Sequence, residues 1–205
     1  MVADGAGSAA RGRDGAGLAV EVALEHLRRL GPDRFDRAAG LQLLSDVREA
    51  IGKAAAGQNL QSRDFAATLL AVVARRTGDG VRWFGLHVGD GMIAADLGEG
   101  PTLVSAPENG EFGNTTFFVT GEDAQSRLRT YMGTAPCAAF ALMTDGAAES
   151  LFHRRSAGVA PAVSVLFQWC REEKPALFRR ALNANLKDVI APRTTDDAGL
   201  AVIAA

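Results

Sequence analysis

The sequence predicts an α+β fold, antiparallel strands covered by helices. Three observations carry this. Two amphipathic helical patterns fill the first quarter of the chain. Short apolar segments separated by Gly, Asn, Asp and Pro occupy the middle. Further helical patterns and one last strand close it.

The first helix spans Ala16 to Leu30. Val20, Ala23, Leu24 and Leu27 recur at helical spacing, with Glu21, Glu25, Arg28 and Arg29 on the other side, and Gly31-Pro32 ends it. A second helix runs from about Ala38 to Ala56 on a stripe of Leu41, Leu44, Val47 and Ile51. Phe65 to Val73 is then short and apolar, and Val81 to Val88 alternates. Met92 to Ala95, Thr116 to Thr120, Arg127 to Met132 and Ala138 to Met143 are further strand-like pieces, spaced as in an antiparallel meander. Helices return at about Ala147 to Phe152, Ala160 to Arg171 and Pro175 to Val189, where Pro175 suits a first helical turn. Leu200 to Ala204 reads as the last strand, and Gly98 to Gly113 as a loop.

The 205 residues suit one domain, 1–205, long enough to bury a core. The composition is 47% hydrophobic and 22% charged, ordinary for a globular protein. A formal charge of -2 gives no reason to expect a nucleic-acid or anionic-membrane partner. No apolar run approaches the roughly 18 residues of a membrane span, and the N-terminus lacks the apolar core of a secretory signal. Cys137 and Cys170 lie in separate apolar stretches and read as buried free thiols, which fits a reducing cytoplasm.

The chemistry points to carboxylates. Asp4-Gly5, Gly89-Asp90-Gly91, Asp145-Gly146 and Thr195-Asp196-Asp197 each adjoin an apolar strand and hold a turn residue. A carboxylate at a strand end projects where a ligand can reach it. Several brought together repel one another unless cations sit between them, and hard ions such as Mg2+ or Mn2+ match oxygen donors. One Asp-Gly by itself reads as a turn, and Asp14-Gly15 and Asp79-Gly80 are read so. The combination and order of the other four lift them above that reading.

The histidines do not form a metal set. His26 and His153 read as solvated, whereas His87, in a strand just before Gly89-Asp90, reads as support to that turn. No G-x-S-x-G, no cysteine in a phosphate-cradling loop and no nucleotide-loop lysine occurs. The Gly-rich start leads into a helix and could hold an anion with its amides.

The order ADGAG, VGDG, LMTDGAAE and TTDDAGLAVI resembles the signature of the metal-dependent serine/threonine phosphatases of the protein phosphatase 2C (PPM) type. Ser62 to Thr68 stands where that family opens a strand, and PENGEFGNTTFFVT resembles its bacterial members. The resemblance spans essentially the whole chain. It implies a four-layer αββα sandwich of two antiparallel sheets flanked by helices. It also implies a binuclear Mn2+ or Mg2+ centre, with two or three ions in all. Asp4 would bridge both metals and Gly5 would give its carbonyl to one. Asp145 and Asp196 would hold the other. Asp90 and Glu149 would join Asp145 at a weaker site, with His87 and Asp197 in support. The chain would supply no nucleophile, because a metal-activated water attacks phosphorus.

The implied substrate is a phosphoprotein of a bacterial serine/threonine kinase, acted on by a cytoplasmic monomer. The family carries one or two strands before its first Asp-Gly, with an acidic residue and often an arginine. Only Met1 to Ala3 precede Asp4, so an N-terminally incomplete domain is expected. Gly91 and Gly199 replace residues that are commonly Ser and Thr or Ser. Two other readings stay open: a PPM-like regulatory module that binds metal poorly, and a helix-covered β domain whose aspartates only make turns.

Overall fold

A computed structural model of the protein describes residues 1–108, 116–153 and 158–205. The stretch 109–115, within the segment that resembles bacterial members, lies outside the described residues, as does part of the expected loop Gly98 to Gly113. The chain divides into two compact units. The first comprises Met1–Val73, Trp83–Asp90 and Glu108–Gly133, and the second Ala74–Arg82, Gly91–Pro107 and Thr134–Ala205.

The first unit is built on helices α1 (Gly12–Arg29) and α2 (Arg37–Ala56). With them goes the larger part of a three-stranded sheet of order β1-β2-β5, where β1 is Leu69–Thr77, β2 Gly80–Val88 and β5 Arg129–Ala135. α1 starts four residues earlier than its periodicity predicts, and its buried stripe differs. Gly12, Gly15, Ala19, Ala23 and Leu27 face inward, while Leu24 is 44% exposed. The stripe is made of small residues because the backbone passes close: a side chain at Gly15 would collide with the Phe65 carbonyl. Asp14-Gly15 is therefore helix, not the turn its sequence suggests. Asp79-Gly80 does mark the β1–β2 turn, with Gly80 at φ 120°.

α2 opens on Asp36, whose Oδ1 accepts from the Ala39 N–H at 2.8 Å. Leu43, Leu44, Val47 and Ile51 are buried along it and pack with Phe65, Leu69, Phe84 and Leu86. Arg48 on the same helix donates to the carbonyls of Val119 (2.8 Å) and Gly121 (2.6 Å) and so ties down the segment around them. That segment makes no strand, contrary to the reading of Thr116 to Thr120. A short helix, α3 (Ala124–Arg127), precedes β5.

The second unit holds an antiparallel sheet of order β4-β3-β6-β9, with β3 Met92–Asp96, β4 Pro101–Ser105, β6 Ala139–Met143 and β9 Leu200–Ala204. β4 falls inside the stretch expected to be loop. Met92 pairs with Met143, and Met143 with Leu200, so β3 and β9 flank β6 in register. β6 is buried along its whole length.

Helices α4 (Asp145–Leu151), α5 (Ala162–Glu172) and α6 (Pro175–Asn185) follow. Val163, Leu166, Phe167, Phe178 and Leu182 form one cluster with Met92, Ala94, Ala139, Ala141 and Met143. α4 gives way to a two-residue strand, β7 (Phe152–His153), paired with β8 (Gly158–Val159). His153 is exposed, in β7. The helix expected to reach Val189 ends as α6, and a π-helical turn, Leu186–Ile190, continues it. Cys137 and Cys170 are free and half-buried rather than fully enclosed. Among the described residues no helix is long and apolar enough to cross a membrane.

Candidate functional site

In the first unit one buried threonine organises two aspartate-bearing segments. Thr68, 3% exposed, precedes β1. Its N–H donates to the Asp4 carbonyl at 2.8 Å, and its Oγ1 accepts from the Asp4 N–H at 3.0 Å. Bridges from Val2 to Leu70 and from Gly5 to Ala67 extend the pairing on either side, so Asp4-Gly5 is held as a strand-like edge. The same Thr68 packs on Gly89. That residue has φ 125°, and any Cβ there would lie 2.6 Å from Thr68 Cγ2, so only glycine fits. Asp90, next in the chain, accepts from Thr116 Oγ1 at 2.5 Å through Oδ2. Asp4, Gly5 and Asp90 are all half-buried.

The Gly89 turn is fixed from behind by Arg129. Its Nη2 donates to the Gly89 carbonyl at 2.9 Å and to His87 Nδ1 at 3.1 Å. A guanidinium can only donate, so Nδ1 carries no proton and the ring is the neutral Nε2–H tautomer. Burial first, and the Arg129 charge second, hold His87 well below the ordinary histidine value, in agreement with that tautomer. Glu108 lies 3.3 Å from Arg129 Nε through Oε2 and balances the charge. His87 is therefore a completely buried neutral acceptor, two residues before Gly89.

The second unit repeats the device. Thr144, 3% exposed, follows β6, and its N–H donates to the Gly199 carbonyl at 2.9 Å. Its Oγ1 accepts from the Gly199 N–H at 2.8 Å and donates to the Asp197 carbonyl at 3.0 Å. The start of α4 is thereby pinned against the run 196–199. The approach is so close that a Cβ on Gly146 would lie 2.8 Å from the Asp197 carbonyl oxygen and 3.1 Å from that of Asp196.

Asp145 is the first residue of α4, and its Oδ1 accepts from the Gly146 N–H at 2.8 Å. Glu149 lies one turn later on the same helix, exposed, so the two acidic groups share a face. Asp196 and Asp197 are exposed, with the Asp197 N–H on Asp196 Oδ1 at 2.9 Å and the Asp196 N–H on Thr194 Oγ1 at 3.1 Å.

Within each unit the expected residues are thus neighbours. Asp4 pairs with Thr68, Gly5 with Ala67 beside it, and Gly89, directly before Asp90, packs on Thr68. Thr144, directly before Asp145, bonds Asp197 and Gly199, the Asp196 and Asp197 carbonyls lie against Gly146, and Glu149 follows along α4. The donors are carboxylates and backbone carbonyls, with no thiolate or imidazole among them. That set suits Mg2+ or Mn2+ and disfavours zinc. Sequence reasoning missed Arg129, Thr116 and Thr144. Thr144 carried a faint signal, a hydroxyl residue directly before Asp-Gly at a strand end. Arg129 carried none, since its partners stand 40 and 42 residues away.

Helix-backed antiparallel sheets with carboxylates at their strand ends offer oxygen donors of the kind that hard cations such as Mg2+ or Mn2+ take. The comparisons supply the family. Residues 1–191 match the family model described as protein phosphatase 2C, and the chain belongs to that family. It is 35% identical over 149 residues to the serine/threonine-protein phosphatase 3 of Escherichia coli (strain K12), covering 71% of this chain. The chain spans only 57% of that relative's length.

Two solved structures show the same fold. The catalytic domain of the serine threonine protein phosphatase PstP, in complex with two manganese ions, matches 98% of this chain and 84% of its own at 19% identity and a TM-score of 0.62. PppA, described as a key regulatory component of T6SS in Pseudomonas aeruginosa, matches 99% of this chain and 84% of its own at 20% identity and a TM-score of 0.59.

Proposed function

We propose that this chain hydrolyses phosphoserine and phosphothreonine in proteins, on substrates of a serine/threonine kinase. Asp4, the Gly5 carbonyl, Asp145 and Asp196 are the ligands of a pair of Mn2+ or Mg2+ ions in this reading. Asp90 and Glu149, with Asp145, serve a third, weaker cation, and His87 and Asp197 are supports. The observation that carries it is the Thr144 clamp, which holds the Asp145 turn against the 196–199 run. Two such cations, when bound, supply an activated water and neutralise charge on the phosphoryl group.

The residues of the chain do the positioning. The Gly146 N–H engages Asp145 Oδ1 and orients the carboxylate. Arg129, which also donates to His87, holds the Gly89 carbonyl, which sets where Asp90 begins. Thr68 fixes both main-chain polar groups of Asp4, so the Asp4 side chain and the Gly5 carbonyl leave a rigid edge. No side chain is required as a nucleophile.

The test is hydrolysis of a phosphothreonine peptide with and without Mn2+. Turnover that requires Mn2+, and that falls by more than ~100-fold in Asp145→Asn, is expected. Turnover that survives both chelation and the substitution would sink the proposal. Weak or absent Mn2+ binding, without turnover on any phosphopeptide or aryl phosphate, would instead favour a regulatory module of the same family.

A further inference from the structure

The second unit contains a cavity that the phosphatase reading does not use. It encloses about 250 Å³ between α4, α5, α6, the π-helical turn and β9. Leu151, Leu166, Leu182 and Ile190 form its buried floor, and Val165 and Val189, each 42% exposed, form its mouth. Trp169 stands in its wall. The π turn that contributes Val189 and Ile190 is an uncommon element, more frequent at functional sites than elsewhere.

Only one lining residue is charged. Arg193 lies at the exposed rim, and no ion pair of it is found among the described residues. Asn185, another polar lining group, already donates its Nδ2 to the Ala181 carbonyl at 2.9 Å.

We propose that this cavity binds a small amphipathic carboxylate, its alkyl chain in the apolar interior and its head group on Arg193. Size and charge select the class. The volume is about eight times the ~30 Å³ that a water molecule occupies, a share close to that of a methylene, so a chain of about eight carbons fills it. A peptide helix, ~10 Å across with its side chains, is too large. A neutral hydrocarbon would leave the one cation at the rim unused. The site is independent of the metal ligands, so it stands or falls separately from the phosphatase reading. Its walls nonetheless include α4 and the turn ending at Arg193, three residues before Asp196.

The experiment is titration of the whole protein with octanoate, followed by the fluorescence of Trp169. The Trp169→Phe variant subtracts the other tryptophan, Trp83, which lies in the first unit. A saturable change that is lost in Trp169→Phe is expected. Val165→Trp, which fills the mouth from an exposed position, is expected to weaken binding by tenfold or more. Arg193→Gln should weaken octanoate about two- to fivefold, the range of one exposed ion pair. It should leave octanol binding unchanged. Calorimetry on the same variants checks occupancy without the tryptophan signal, and circular dichroism confirms that they fold. The absence of saturation in both methods overturns the proposal. So does equal weakening of octanoate and octanol by Arg193→Gln.

Discussion

Thr144 and Thr68 are small, uncharged and buried, yet each decides where carboxylates stand. Thr144 uses its hydroxyl twice, once as donor to Asp197 and once as acceptor from Gly199. Thr144→Val keeps the shape and removes both bonds, leaving two backbone groups unpaired. A loss of about 1–3 kcal/mol is expected, read as a lower urea midpoint at unchanged slope. Mn2+ affinity should fall by ~10-fold or more, because the partners that orient ligands weigh heavily on metal binding.

His87 gives a pH signature at the same scale. Its folded pKa lies well below its unfolded value, so below about pH 6.5 the unfolded chain takes up a proton that the folded chain refuses. Stability is therefore complete above about pH 6.5 and declines as pH falls from there toward the folded value, by at most ~1.4 kcal/mol per pH unit. Melting temperatures between pH 7.5 and 5 should decline less steeply in His87→Gln than in the parent. Parallel slopes would exclude His87 as the source.

At the scale of elements, strong periodicity was a good guide and close packing was not. α2 is legible from the stripe Leu41, Leu44, Val47 and Ile51, of which the last three are buried and Leu41 half-buried. α1 was found, but its inward stripe was misplaced, because Gly12 and Gly15 contribute through what they lack. β4 was missed. Pro101 and Thr102 are exposed and β4 borders the sheet through β3 alone, so neither burial nor alternation marked it. The Asp145 turn shows how one element depends on another. The 196–197 carbonyls can come this close to the start of α4 only because Gly146 has no side chain. Gly146→Ala must push that run away, and phosphatase activity should fall by ~10-fold or more while the midpoint of unfolding moves by less than ~2 kcal/mol. A larger loss of stability with activity intact would show that the glycine serves packing alone.

At the scale of the whole molecule, the proposed function makes the carboxylates a liability without cations and an asset with them. If Asp4, Asp145 and Asp196 are metal ligands, Mn2+ at 100 times its Kd stabilises the fold by about 2.7 kcal/mol over the chelated protein. Thermal unfolding with Mn2+ and with EDTA measures this, and Asp145→Asn should erase most of the difference. Asp96 sets a second limit at acid pH. Burial raises its carboxyl, but the Gly98 N–H, Arg171 and the Gly100 N–H together outweigh this and hold it below its ordinary value. Its contribution is present above the ordinary carboxylate range and disappears as pH falls through the lowered value.

The α+β class, most of the helices and strands, and the ordered Asp-Gly motifs were written in the chain itself. Each depends on spacing over a few residues: helical period, alternation, and a turn residue beside a carboxylate. The family followed from the order of those motifs. The tertiary structure alone decided which small polar residues carry the turns. Thr144 meets residues 53 and 55 positions away, and Thr68 meets Asp4 across 64. Arg129 reaches Gly89 and His87 across 40 and 42. Such contacts have no local period, because each is a single hydrogen bond made where two distant segments happen to pass. A buried hydroxyl or guanidinium must still find its partner there, and that requirement acts only once the chain has folded.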